Sequence, residues 1–126
     1  MKRRIFLIFS VILITGLVGC YKDILSPGQD PNAPPQAVSF SGDLVPLFSA
    51  NCAGSGCHDG SAHNPALTPD KAYNAIMSGG YTNTVVPTSS VLYGEVKSGS
   101  MPPSGAIKQS DMQKILDWIR NGAPNN

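Results

Sequence analysis

Charge is scarce in this chain. Only 13% of its 126 residues are Asp, Glu, Lys or Arg, nine basic against eight acidic. Beyond Lys2, Arg3 and Arg4 the basic residues form no cluster, and a nucleic-acid footprint, which shows as grouped Lys and Arg, is excluded. Aromatic residues make up 7%, with one Trp; so few large rings give a marginal core by themselves. No sustained alternation of apolar and polar residues is present, which speaks against strands. No internal repeat and no charge block appears. No apolar run reaches a comfortable membrane span, because the run at 5–14 is short and contains Ser10. Cysteine is limited to Cys20, Cys52 and Cys57. With Cys20 set apart near the start, two thiols remain, too few for an iron–sulfur cluster.

What is there begins with a basic start, the apolar run and Leu17-Val18-Gly19-Cys20, the layout of an export signal. Leu-x-Gly-Cys resembles the lipobox of bacterial lipoproteins. That resemblance implies a signal peptide at 1–19 and a lipidated Cys20 as the first mature residue; an uncleaved N-terminal anchor is the other reading. Both put the remainder outside the cytoplasm, in the cell envelope, on a membrane surface facing the periplasm or the exterior. Tyr21 rather than Asp follows Cys20, so the familiar inner-membrane retention signal is missing and the outer membrane is favoured. Loss of 1–19 removes three of the nine basic residues and leaves six against eight acidic, a balance of −2. Residues 20–39 carry Pro27, Pro31, Pro34 and Pro35 among polar residues and read as a tether. At about 3 Å per residue in polyproline geometry it would reach roughly 50 Å.

Residues 40–126 read as one small all-α domain. The first helix is expected to begin between Ser41 and Asp43 and run to Cys52, with Leu44, Leu47 and Phe48 on one face and Pro46 tolerated near its start. A second is expected to be capped by Thr68, with Pro69 first, Asp70 at the positive dipole end, and Gly79-Gly80 as its stop. A third is expected over 90–98, with Leu92 and Val96 inward and Gly99 ending it. The last has Met112, Ile115, Leu116 and Ile119 at i, i+3, i+4, i+7, a capping box from Ser110 and Gln113, and Gly122 as terminator. Trp118 falls toward the edge of that stripe.

The chemistry concentrates in Cys52-Ala-Gly-Ser-Gly-Cys57-His58. The pattern C-x-x-C-H marks covalent haem attachment, in which two thiols add to the porphyrin vinyl groups and the adjacent imidazole binds iron. Here four residues separate the cysteines, and Ala53-Gly54-Ser55-Gly56 is small and flexible enough to bulge. Two other readings of these residues stay open. Cys52 and Cys57 can close a disulfide in an oxidising compartment. Cys52, Cys57, His58 and His63 also form a nitrogen and sulfur set of the type zinc accepts, although adjacent Cys and His ligands crowd a tetrahedron. Among the methionines, Met77 reads as core packing beside Ile76 and Met112 belongs to the last apolar stripe. Met101 alone sits in a Gly/Ser/Pro loop, where two prolines restrain the segment. His63, five residues from His58, reads as a solvent-side loop histidine. Tyr81, Tyr93 and Trp118 could pack on a cofactor, with core filling the default for each.

Over 40–123 the chain resembles a class I mono-haem c-type cytochrome domain, particularly lipid-anchored bacterial versions with a widened cysteine loop. The matching residues are the apolar helix running into Cys52, Cys57-His58, Asn64-Pro65-Ala66-Leu67 and Ser90-Val91-Leu92-Tyr93. Gly99-Ser100-Met101-Pro102-Pro103 and Ile115-Leu116-Asp117-Trp118-Ile119 complete the set. The resemblance implies a small helical domain wrapped around one covalent haem c, with Cys52 and Cys57 thioether-bonded, His58 the proximal iron ligand and Met101 the distal one. It implies that the Pro65 carbonyl holds the His58 ring. The implied activity is one-electron transfer with redox partner proteins, with no small-molecule substrate and no enzymatic reaction of its own. The alternatives are an electron-transfer subunit or gas sensor within a larger haem enzyme, and a structural or binding lipoprotein held by zinc or a disulfide.

Overall fold

The computed structural model describes residues 33–126; the expected signal peptide, Cys20 and most of the expected tether lie outside the described residues. Within them the chain is all-α, with four α-helices and no strand. The helices are α1 (Val45–Asn51), α2 (Ala72–Ser78), α3 (Val91–Ser98) and α4 (Gln109–Arg120). A π-helical turn, Phe40–Leu44, leads into α1, and a 3₁₀ turn, Pro87–Ser89, precedes α3. No described helix is long and apolar enough to cross a membrane.

The start of the domain is a reciprocal cap. The Ser39 hydroxyl accepts the Gly42 N–H at 3.0 Å, and the Asp43 carboxylate accepts the Ser39 N–H at 3.0 Å. This is a capping box whose returning arm comes from one residue later than usual, Asp43, with Gly42 in the ordinary place. Pro46 falls in the first turn of α1, where no N–H is needed. At the other end the Phe48 carbonyl takes both the Cys52 and Ala53 N–H groups, at 2.8 and 2.9 Å, and the helix stops on the first cysteine.

Two expected N-caps are replaced by other arrangements. Thr68 donates its hydroxyl to Asp70 at 2.7 Å instead of accepting a backbone N–H, and only the turn through its carbonyl leads on to α2 at Ala72. Ser110 lies inside α4, which begins at Gln109 after Lys108, and Gln113 reaches forward to Asp117 at 2.9 Å. A forward hydrogen bond to a buried carboxylate outcompetes a local cap that would lie at the surface. The C-termini follow the glycine signals. Gly99 ends α3 in the left-handed region at φ 77°, a conformation glycine adopts without a Cβ penalty.

The core joins Phe40, Leu44, Phe48, Ile76, Ile115 and Ile119 around Trp118. Trp118 is fully buried rather than at the edge of its stripe. Its ring stands 5.2 Å from Phe40 and 6.4 Å from Tyr73, and its Nε1–H donates to the Pro124 carbonyl at 2.9 Å. Phe40, Phe48, Tyr73 and Trp118 are thus gathered at one place, where edge and tilted contacts add to area burial. Met77, expected in the core, is exposed and accepts the Thr82 hydroxyl at 3.4 Å; Ala72 and Ile76 turn α2 inward.

Asp117 is buried beside this core and is satisfied by Gln113 and by Arg120 at 3.3 Å. Arg120 also donates to the Ala33 carbonyl at 2.8 Å, and Asn121 donates to the Gln36 carbonyl at 2.7 Å. With Val38 buried, the extended segment 33–39 rests on the end of α4.

Candidate functional site

A cavity of about 460 Å³ opens between the end of α1, the 56–67 loop, α3 and the 101–103 loop. Its size falls within the range of small-molecule and cofactor sites. Cys52, Cys57, His58 and Met101 all line it. Its apolar wall comes from Phe48, Leu67, Leu92 and Val96, all buried residues. Val91, half exposed, and Pro103 stand at the same cavity.

The cysteine loop is held by its own backbone. Cys57 N–H donates to the Gly54 carbonyl at 2.9 Å, and His58 N–H donates back to the Cys52 carbonyl at 3.1 Å. Gly56 sits at φ 78°, in the left-handed region that lets this excursion close. The Asp59 carboxylate accepts the Gly56 N–H at 3.2 Å, the Ser61 N–H at 2.9 Å and the Ser61 hydroxyl at 2.7 Å. Those donors, Ser61 first, hold its carboxyl down to about 2. The two thiols are free and unlike each other. Cys57 is exposed, whereas Cys52 is half-buried and burial, then the neighbouring Cys57, pushes its thiol up to about 11.

His58 Nδ1 lies 2.9 Å from the carbonyl of the buried Pro65. A carbonyl can only accept, so Nδ1 carries the proton and Nε2 keeps its lone pair. A further bond, from Leu67 N–H to the His58 carbonyl at 2.7 Å, ties the same two segments together. On the other wall Met101 N–H returns to the Glu95 carbonyl at 3.1 Å, which folds the loop after Gly99 back onto α3.

Of the competing methionines, Met77 and Met112 are not among the cavity-lining residues. His63 is exposed, yet it also lines the cavity, with its ring 6.4 Å from that of His58. Tyr81 contributes to the wall, and Gly79 permits this, since a Cβ there would run into the Tyr81 ring and the Ala75 carbonyl. Tyr93 and Trp118 are core residues, Tyr93 lying under Lys97 at 5.6 Å. Asn51 and Glu95 are lining residues that sequence reasoning did not single out, and Asn64, part of the Asn64-Pro65-Ala66-Leu67 stretch, lines the cavity as well. Glu95 could have been found, because it follows Val91 by four positions and shares its helix face. Among the described residues, no three His, Cys, Asp or Glu side chains are grouped so as to hold a metal ion.

No family model, curated protein or solved structure matches the chain.

Proposed function

We propose that the domain binds one covalent haem c and acts as a one-electron carrier, tethered through a lipidated Cys20 to a membrane surface outside the cytoplasm. The observation that carries this reading is the shared cavity: two thiols, an imidazole and a thioether, drawn from segments over forty residues apart, face one mostly apolar space. The donor set fits the group. Cys52 and Cys57 would hold it covalently, His58 Nε2 and Met101 Sδ would ligate iron, and the Pro65 carbonyl would keep the imidazole in the ligating tautomer. When bound, the haem supplies a one-electron couple. The side chains of Phe48, Leu67, Leu92 and Val96 exclude water from it, and a soft thioether favours the ferrous state and raises the potential. With His58 and Met101 both committed to the iron, no coordination position would be left for oxygen or peroxide, which favours electron transfer over a reaction on substrate.

The test is a pyridine haemochrome spectrum of the mature chain made in a host competent for cytochrome maturation, together with the far-red band of the oxidised form that reports iron–thioether ligation. The expected result is a c-type spectrum and a band lost in Met101→Ala but kept in Met77→Ala. A colourless chain whose mass is only that of its residues and acyl groups refutes the reading. Bound zinc in that chain would favour the structural alternative.

A further inference from the structure

The widened cysteine loop poses a geometric problem: two extra residues should leave the second thiol poorly placed relative to the first. The side chain of Asp59 addresses it. One carboxylate oxygen, Oδ2, holds Gly56 N–H, the residue before Cys57; the other, Oδ1, holds both the N–H and the hydroxyl of Ser61. The carboxylate therefore bridges the backbone on both sides of Cys57-His58. Within the loop the other closures are two backbone bonds, Cys57 to Gly54 and His58 to Cys52, while His63 N–H and Leu67 N–H hold the Cys57 and His58 carbonyls from the downstream side; three of the four inner residues are Gly or Ser with little preference of their own.

We infer that Asp59 is a positioning residue, clamping the Cys57-His58 end of the loop so that both thiols can bond one porphyrin while His58 stays over the metal. This rests on the haem reading. Each attachment adds a thiol S–H across a vinyl C=C bond, sulfur to one carbon and hydrogen to the other, so no oxidant or leaving group is involved. What the clamp controls is reach: a thiol displaced by about an ångström loses a large part of its proximity advantage. Cys57, adjacent to the ligand, should bond with or without the clamp, and failure should appear as a single attachment.

The experiment compares wild type, Asp59→Ala and Asp59→Asn in two measurements. In the haem-loaded chain, the haemochrome band reports whether one or two vinyl groups have been saturated, a readout that general loss of stability does not move. Asp59→Ala should lower the doubly attached share about twofold or more. Asp59→Asn, which keeps one acceptor oxygen for Ser61, should recover part of it. In the haem-free chain, amide exchange at Gly56 and Ser61 should accelerate about tenfold in Asp59→Ala, as expected for loss of a charge-assisted bond. Exchange in the α4 core should be unchanged. Double attachment of Asp59→Ala at the wild-type level, or wild-type exchange at both amides, overturns the inference. A wild type without covalent pigment overturns the proposed function instead, and the exchange measurement alone then decides whether Asp59 clamps the loop.

Discussion

Cys52 should resist modification in the haem-free native chain, by an amount that follows from its surroundings. A thiol at its ordinary value of 9.0 is about one-tenth thiolate at pH 8, whereas at about 11 the fraction is about one in a thousand, a hundredfold loss of the reactive form. The more basic thiolate is also the better nucleophile, and over two pH units this recovers roughly six- to tenfold. Chemistry alone then leaves Cys52 about tenfold slower than in the unfolded chain, and its half-buried position slows it further. The assay is iodoacetamide labelling with peptide mass analysis, in buffer and in urea, from pH 8 to 10. Cys57, exposed on its loop, should label first. The native Cys52 rate should climb about tenfold per pH unit without levelling. A plateau near pH 9, or equal native and urea rates at pH 8, would refute the argument that burial governs this thiol.

Four further outcomes bear on the frame around the site. Trp118→Ala should cost about 3–5 kcal/mol in urea unfolding, and Trp118→Phe about 1 kcal/mol through the lost bond to Pro124. Arg120→Ala leaves the buried Asp117 with Gln113 alone and should cost roughly 1–3 kcal/mol. Lys114→Ala breaks only the largely exposed pair with Asp43 and should cost less than about 1 kcal/mol in the same assay. Asp43, Asp59 and Asp70 all titrate below their ordinary 3.8, held down mainly by Ser39 N–H, by Ser61 and by the Thr68 hydroxyl respectively. A lowered folded value stabilises the fold above the unfolded value and is lost as pH falls through the folded one. The urea midpoint should therefore fall between about pH 4 and pH 2 from these groups; a midpoint rising across that window would contradict the sign.

Reading helices from this chain succeeded where the signal was local. Ile115, Leu116 and Ile119 recur at helical spacing and are buried, and Gly99 takes the positive φ that ends α3. It failed where two polar partners competed. Nothing near Ser110 announces that Gln113 turns toward Asp117, because the buried partner lies one turn onward and its burial depends on the packed core. The neighbouring Ile76 suggests an inward Met77, yet the two lie about 100° apart on the helix and only one can face the core.

The sequence by itself determined the helical class and the adjacency of Cys57 and His58, because backbone periodicity and covalent neighbourhood are properties of a few consecutive residues. Only the tertiary structure decided that Met101 shares a cavity with His58, that the Pro65 carbonyl orients the imidazole, and that Cys52 is the shielded thiol of the pair. These depend on chain segments closing on one another around Trp118, and long-range closure is set by packing of the whole core, which no local pattern encodes.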